Sequence, residues 1–470
     1  MGAIWNAVST VASVFPQVPK PERKRDLSEK LVWTATALVL FLAMSQTPLY
    51  GIASGVADQL AYTRIIFASS QGTLMELGIG PIVTAGLILQ LLKGAEIIKL
   101  DFKKKEDKAL FSAATKLLTL IVTIIEASAF MIGGQFGTNL STGVAIVIMT
   151  QLLATGFVVV LMDELVQKGW GIGSGISLFI MAGVAQQIVW NMFSVLPAGD
   201  GYLGIVPYLV NATATGHPES AVFRSGQLPS LFTLLLTFVA IVIIVYVEGI
   251  RIEVPITSTK YRGFSGVYPI KLLYVSNIPV ILASALLANL TFFSQFIWSR
   301  YNPNNADPLL NLIATYNPQT VTSGAIGGFL YYITPPRGLE SLGLEPLRAV
   351  SYVAFYIIMC IIFGRIWVEI GGLNPRAVSK SLLDANVQVP GFRRAEQSVE
   401  GILGKYIPVI TILGSAFLGI LASSADLLGV FGTGTGILLM VSITLNYYQM
   451  LMKERLETMM PQLAGLLGKS

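Results

Sequence analysis

Glu126 is the residue most out of place in this chain, a carboxylate in the middle of the apolar run 110–132. Ionisable side chains at membrane depth mark proton relays, substrate paths or partnered polar clusters. Acid and base chemistry by paired carboxylates needs a second such group beside the first, and Glu126 is the one clear mid-run carboxylate in the sequence. Other reactive side chains are scarce. His217 is the only histidine and falls between apolar runs, which leaves no histidine pair for a zinc site. Cys360 is the only cysteine, so neither an intramolecular disulfide nor a cysteine metal cluster is possible. Two Gly-rich stretches, Gly171-Ile172-Gly173-Ser174-Gly175 and Gly432-Thr433-Gly434-Thr435-Gly436, lack the lysine that a phosphate-cradling loop needs. Asn211-Ala212-Thr213 fits a glycosylation triplet, a pattern that also arises by chance. No enzyme, metal centre or cofactor follows from these residues.

The elements that hold Glu126 are built for lipid. The chain of 470 residues is 53% hydrophobic and 12% charged, with a mean hydropathy of +0.68, against about 25% charged in an ordinary soluble domain. Its apolar residues come in runs of about 20, the length that crosses the hydrocarbon layer. They lie at 31–49, 74–92, 110–132, 143–162, 175–196, 231–247, 272–293, 349–368, 407–421 and 432–451. The expected fold is an all-α polytopic bundle of ten transmembrane helices in two pseudo-symmetric halves of five, 1–228 and 229–470. Opposite-facing halves are a common way to build a membrane passage. The two Gly-rich openings, one before the last span of each half, are the only visible internal similarity, and packing of helices through small residues also explains them.

Basic residues fix the orientation, because they gather in cytoplasmic loops. Of the 31, only Arg64, Arg224, Arg300, Arg337 and Arg348 fall on the outer side when both termini are placed inside. An amphipathic stretch at 4–15 precedes the basic run 20–25, and no small-residue cleavage site follows an apolar core, so no removable signal peptide is expected. The segment 52–72 is too polar and too short to span. Its composition fits an ordinary outer loop, or a short helix dipping into a protein-walled cavity. Two inner loops, 249–271 and 370–405, are long and basic. The first alternates in polarity between Pro255 and Gly263 as a projecting hairpin would.

Several stretches, taken in order, resemble the archaeal and eukaryotic branch of the SecY-type translocon alpha subunit. They are Pro48-Leu49-Tyr50-Gly51-Ile52, Leu77-Gly78-Ile79-Gly80-Pro81-Ile82-Val83-Thr84 and Gly171-Ile172-Gly173-Ser174-Gly175-Ile176-Ser177-Leu178-Phe179. Ser258-Thr259-Lys260-Tyr261-Arg262-Gly263, Tyr268-Pro269-Ile270-Lys271, Tyr274-Val275-Ser276-Asn277 and Gly434-Thr435-Gly436 continue the match. The resemblance runs from about residue 21 to the carboxyl end.

It implies the central subunit of a protein-conducting channel, which passes unfolded polypeptides across the membrane and releases membrane segments sideways into it. The positions matching the family's aliphatic pore ring are Ile79, Val83, Ile176, Ile180, Ile281 and Leu439. Such a ring hinders water and ions by dewetting while its side chains fit around a moving chain. The segment 55–70 matches the family's plug, which overturns the plain-loop reading. The lateral gate runs between spans two and three on one side and seven and eight on the other, with Thr84, Glu126 and Asn289 as its polar cluster. Lys260, Arg262 and Arg376 match the ribosome-docking loops, where RNA phosphates attract basic side chains. Implied partners are small gamma (SecE-type) and beta subunits, the ribosome, signal peptides and nascent polypeptides, and the lipid bilayer. The implied location is the cell membrane in an archaeon, or the endoplasmic reticulum membrane in a eukaryote.

A secondary transporter with inverted repeats is the alternative, since it too uses opposed halves and interrupted helices. Its coupling groups would have to come from a bundle that offers one mid-run carboxylate. An intramembrane protease would need paired aspartates, or serine with histidine, at depth.

Overall fold

The computed structural model describes residues 16–23, 25–52, 64, 67–94, 97–98, 104–132, 136, 141–198, 201–224, 228–258, 265–317, 324–336, 342–384, 387–388 and 396–459. The first five apolar helices are α1 (Leu27–Gln46), α2 (Gly80–Gly94), α3 (Lys105–Ile132), α4 (Thr142–Gln167) and α5 (Gly175–Phe193). An outer connection follows, made of β1 (Pro197–Ala198), β2 (Gly201–Tyr202), α6 (Ile205–Ala214) and a 3-10 turn at Pro218–Ala221. The remainder runs α7 (Leu231–Glu248), β3 (Arg251–Ser258), β4 (Ser265–Lys271), α8 (Ile278–Tyr301), α9 (Pro308–Ile313), α10 (Phe329–Ile333) and α11 (Pro346–Ile370). It ends with α12 (Pro375–Asp384), β5 (Val387–Gln388), α13 (Glu396–Leu427) and α14 (Gly434–Met459).

Nine helices among the described residues are long and apolar enough to cross a bilayer. The tenth expected span is shorter than its apolar run. Helix α2 has 15 residues, and at about 1.5 Å per residue it falls short of the ~30 Å hydrocarbon core. The missing part, 70–79, is irregular because its backbone groups bond elsewhere. Ser70 N–H donates to the Met75 carbonyl at 3.0 Å and Ile79 N–H to the Phe67 carbonyl at 2.8 Å. Gly78 sits at φ +57°, and a Cβ there would lie 2.2 Å from the Phe67 oxygen, so only glycine fits. Pro81 then starts the helix, where its missing N–H costs nothing. Irregular backbone at this depth is tolerated because protein surrounds it; Met75, Leu77 and Ile79 are buried.

Helix α13 overruns its expected limits in both directions, running from Glu396 through Pro408 and past Asp426 to Leu427. The inner loop 251–271 is the antiparallel hairpin its alternation predicts, in the register Arg251↔Lys271 to Thr257↔Ser265. Pro255 lies within β3 opposite Val267 rather than at its end. That is permitted because β3 is an edge strand at that point and gains its second neighbour, β5, only at Thr257 and Ser258.

The two sets of five helices meet at two junctions. In one, α8 packs on α2 and α3 while α11 packs on α2; in the other, α14 packs along α5. A single large apolar cluster fills the space between them, with Phe41 of α1 stacked on Phe179 of α5 at 4.9 Å between ring centroids.

Candidate functional site

All six expected ring positions fall in that apolar cluster. Ile79, Val83, Ile180 and Leu439 are buried in it, and Ile176 and Ile281 are half-buried against it. They come from α2, α5, α8 and α14, two helices from each set of five. Ile79 precedes α2 rather than lying on it, yet its carbonyl accepts the Val83 N–H at 3.1 Å, so the pair keeps the one-turn spacing expected of it.

The segment expected to act as plug lies mostly outside the described residues; Arg64 and 67–70 are described. The base of this excursion is closed by an antiparallel bridge between Pro48 and Thr73, with Leu49 N–H donating to the Gly72 carbonyl and Leu74 N–H to the Thr47 carbonyl. Its far end meets Ile79, one of the expected ring positions, whose N–H donates to the Phe67 carbonyl. Arg64 is buried and pairs with Glu76, 7% and 3% exposed, at 2.7 Å between Nη2 and Oε1. The other Glu76 oxygen accepts from the Gly72 amide.

Thr84, Glu126 and Asn289 come together where α2, α3 and α8 meet. Asn289 Nδ2 donates to Thr84 Oγ1 at 3.0 Å, and Oγ1 faces Glu126 Oε1 at 3.4 Å and Asn289 Oδ1 at 3.3 Å. A small cavity joins this cluster to the plug-side ion pair, lined by Arg64, Glu76, Glu126, Phe130, Asn289 and Phe292 among others. The polar cluster and the end of the plug segment therefore share one space.

Of the three expected docking residues, Lys260 and Arg262 lie outside the described residues. Arg376 is exposed in the first turn of α12, a helix that buries Val378 and Ser379. The two basic loops are joined, since β5 pairs with β3 through Thr257↔Gln388 and Ser258↔Val387. Nothing in the sequence of either loop announces a two-residue ladder to the other.

Glu126 stays the one carboxylate in the middle of an apolar run, but burial among the carboxylates is not confined to it. Glu76, Glu164 and Asp426 are also buried. Glu76 was visible inside the run 74–92, whereas Asp426 escaped notice because α13 continues past the expected end of its run. Glu164 is satisfied by Lys116 at 2.6 Å and Lys168 at 2.7 Å, and its second oxygen accepts from the Val18 amide, which ties the amino-terminal segment to α3 and α4. Among the described residues no group of three or more His, Cys, Asp or Glu side chains is arranged to hold a metal.

Comparison with known proteins matches this architecture. The SecY family model covers residues 73–448, and the model described as the plug domain of Sec61p covers 39–72. The chain is 39% identical to the protein translocase subunit SecY of Pyrococcus furiosus, over 97% of each chain. It is 38% identical to the protein transport protein SEC61 subunit alpha of Wickerhamomyces anomalus, over 96% of each. Among solved structures it superposes on a protein conducting channel with a TM-score of 0.83 at 35% identity, covering 97% of this chain and 98% of that one. On Sec61 in the canine ribosome-channel complex from the endoplasmic reticulum the TM-score is 0.81, also at 35% identity and with the same coverage. With two family models lying end to end along one multi-span helical bundle, the chain belongs to the SecY family.

Proposed function

We propose that this chain is the passage-forming subunit of a protein translocase, in which unfolded polypeptides thread the ring of Ile79, Val83, Ile176, Ile180, Ile281 and Leu439. The observation that carries this reading is the bond between Ile79 N–H and the Phe67 carbonyl, which seats the end of the plug segment directly on a ring residue. Aliphatic side chains suit such a task because they offer a polypeptide nothing to bind, and they shed water when the passage is empty. The role is transport without catalysis. The halves divide at about residue 228, and hydrophobic segments leave between α2 and α3 on one side and α8 and α11 on the other, past Thr84, Glu126 and Asn289.

Substrate arrives from the inner side, where most of the basic residues lie. Lys260, Arg262 and Arg376 dock the ribosome, and a solved relative at 35% identity stands in a ribosome-channel complex. Small gamma-type and beta-type subunits complete the assembly, as in the family. The test is the resting ion conductance of proteoliposomes holding the assembled channel. Asparagine at Ile79, Ile176 and Ile281 is expected to raise it, because polar side chains keep the constriction wet. Unchanged conductance overturns the ring.

A further inference from the structure

Each of the last spans, α5 and α14, starts against a carboxylate from the helix before it, and the two arrangements share one plan. In the first, Asp163 of α4 accepts the N–H of Ile176 on Oδ1 at 3.0 Å, and Gly175 packs against the same side chain. In the second, Asp426 of α13 accepts the N–H of Gly434 on Oδ1 at 2.8 Å, with the Thr435 amide at 3.5 Å. These are the first two residues of each helix. The second carboxylate oxygen is engaged in both cases by a side-chain donor, Gln167 Nε2 at 2.7 Å on Asp163 and the Tyr352 hydroxyl at 2.8 Å on Asp426.

The leading glycine of each helix lets it come this close. A Cβ on Gly175 would lie 2.6 Å from Asp163 Cα, and one on Gly434 would lie 2.3 Å from the Asp426 nitrogen. The corresponding glycines are thus Gly175 and Gly434, the last of one Gly-rich stretch and the middle of the other. In the orientation set by the basic residues, the α4–α5 turn is on the inner side and the α13–α14 turn on the outer, so the two devices are inverted copies.

From this correspondence we infer that Asp163 and Asp426 are a matched pair of positioning residues that set where the two ring-bearing terminal spans begin. The inference rests on the ring reading above. A helix start leaves its first amides without partners, and burial of Gly175 and Gly434 keeps water from standing in for them. A carboxylate supplies both an acceptor and the charge that the positive end of the helix favours. An ordinary cap would come from the residue just before the helix; these come from 12 and 8 positions back, on a separate helix, so each fixes the position of one span against another. The consequence for the ring is direct. Ile176 is itself one of the capped residues, Ile180 stands one turn beyond it, and Leu439 is five residues past Gly434 on α14.

The test is resting conductance of the assembled channel in proteoliposomes, with Ile176→Asn as the reference variant. Asp163→Ala and Asp426→Ala are each expected to raise conductance about tenfold, the factor given by a bias of ~1.4 kcal/mol between closed and leaking states. Asp163→Asn and Asp426→Asn keep an oxygen facing the helix start and should restore most of the seal. Gln167→Ala and Tyr352→Phe remove only the orienting donor and should give smaller increases of the same kind, which keeps the test decisive if an alanine variant fails to assemble. If Ile176→Asn leaks while every assembled variant at these four positions stays sealed, or if the asparagine variants leak as much as alanine, the inference is overturned. If Ile176→Asn does not leak, the ring reading falls and takes this inference with it.

Discussion

Replacing Asn289 by leucine should ease opening between α2 and α8, and the hydrogen bonds set how far. The cluster of Thr84, Glu126 and Asn289 contains fewer seam-crossing bonds than its three members suggest. Thr84 and Glu126 both stand on the wall formed by α2 and α3, so the bond between them holds that wall together. The crossing bond is Asn289 Nδ2 to Thr84 Oγ1 at 3.0 Å; the single hydroxyl proton of Thr84 then serves either Glu126 or Asn289. Interhelical bonds of this kind average about 0.6 kcal/mol and reach about 1.7 kcal/mol. Removing one multiplies the open population by roughly 3 to 20. A leucine contributes up to about 0.6 kcal/mol to insertion, so the hydrophobicity threshold should fall by about one to three leucines in a model segment. Protease protection of a reporter with graded leucine content measures that threshold. Thr84→Val removes the same crossing bond, so the double variant should shift the threshold no further than the larger single shift. Additive shifts, or a threshold that stays put in Asn289→Leu, would refute this account, whereas Glu126→Gln should act weakly because it touches only its own wall.

The buried pair of Arg64 and Glu76 makes a second prediction, since removing one partner of a buried ion pair costs about 3–5 kcal/mol, far more than replacing both. Arg64→Leu should therefore unseat the plug segment and raise resting conductance in reconstituted channels, and Glu76→Leu added to it should lower the leak again rather than increase it. For docking, charge reversal at Lys260, Arg262 and Arg376 should weaken ribosome binding at moderate salt and flatten its salt dependence. Binding that survives reversal would return these residues to lipid anchoring. Because β5 ties the two loops together, Gln388→Pro, which removes a ladder donor, should weaken docking without any change of charge.

How much of this was legible in the sequence depends on which physical signal each feature leaves. The lysine and arginine asymmetry supplies an expected orientation, and span length is a property of single segments, so the nine long helices among the described residues follow from composition. The short second span does not. Apart from Glu76, residues 74–79 are apolar because protein buries most of them, and hydropathy cannot separate burial in protein from burial in lipid. The positive φ of Gly78 and the close approach to Phe67 explain its glycine, yet a glycine before a proline-started helix looks like any turn. Glu126 stands out by itself, but Thr84 and Asn289 could be joined to it only through the family resemblance, because the bonds among them span 205 and 42 positions in sequence. Asp426 was hidden for a different reason. It follows the hydrophobic run by a few residues, and polar flanks of that kind usually mean a loop.

The two Gly-rich stretches show the limit most clearly, because small residues that pack helices and small residues that admit a carboxylate look alike. Once Asp163 and Asp426 are in place, a contrast in strength between the junctions has a physical basis. Within each set of five, the terminal span is held by a carboxylate taking main-chain amides, and hydrogen bonds to charged groups contribute about 1.5–3 kcal/mol each. Where α14 runs along α5, the Tyr447 hydroxyl donates to the Ser174 carbonyl at 2.8 Å, just ahead of the start of α5; nearby, Lys30 of α1 meets Glu454 of α14 at 2.5 Å. At the other junction the neutral pair of Asn289 and Thr84 joins α8 to α2, and Lys93 of α2 reaches the Ile370 carbonyl at the end of α11 at 3.4 Å. A bundle fastened in this way is expected to part α2 from α8 before either carboxylate-held span leaves its neighbour. A channel that must open sideways for a hydrophobic segment, yet keep its ring in register, requires that order of strengths.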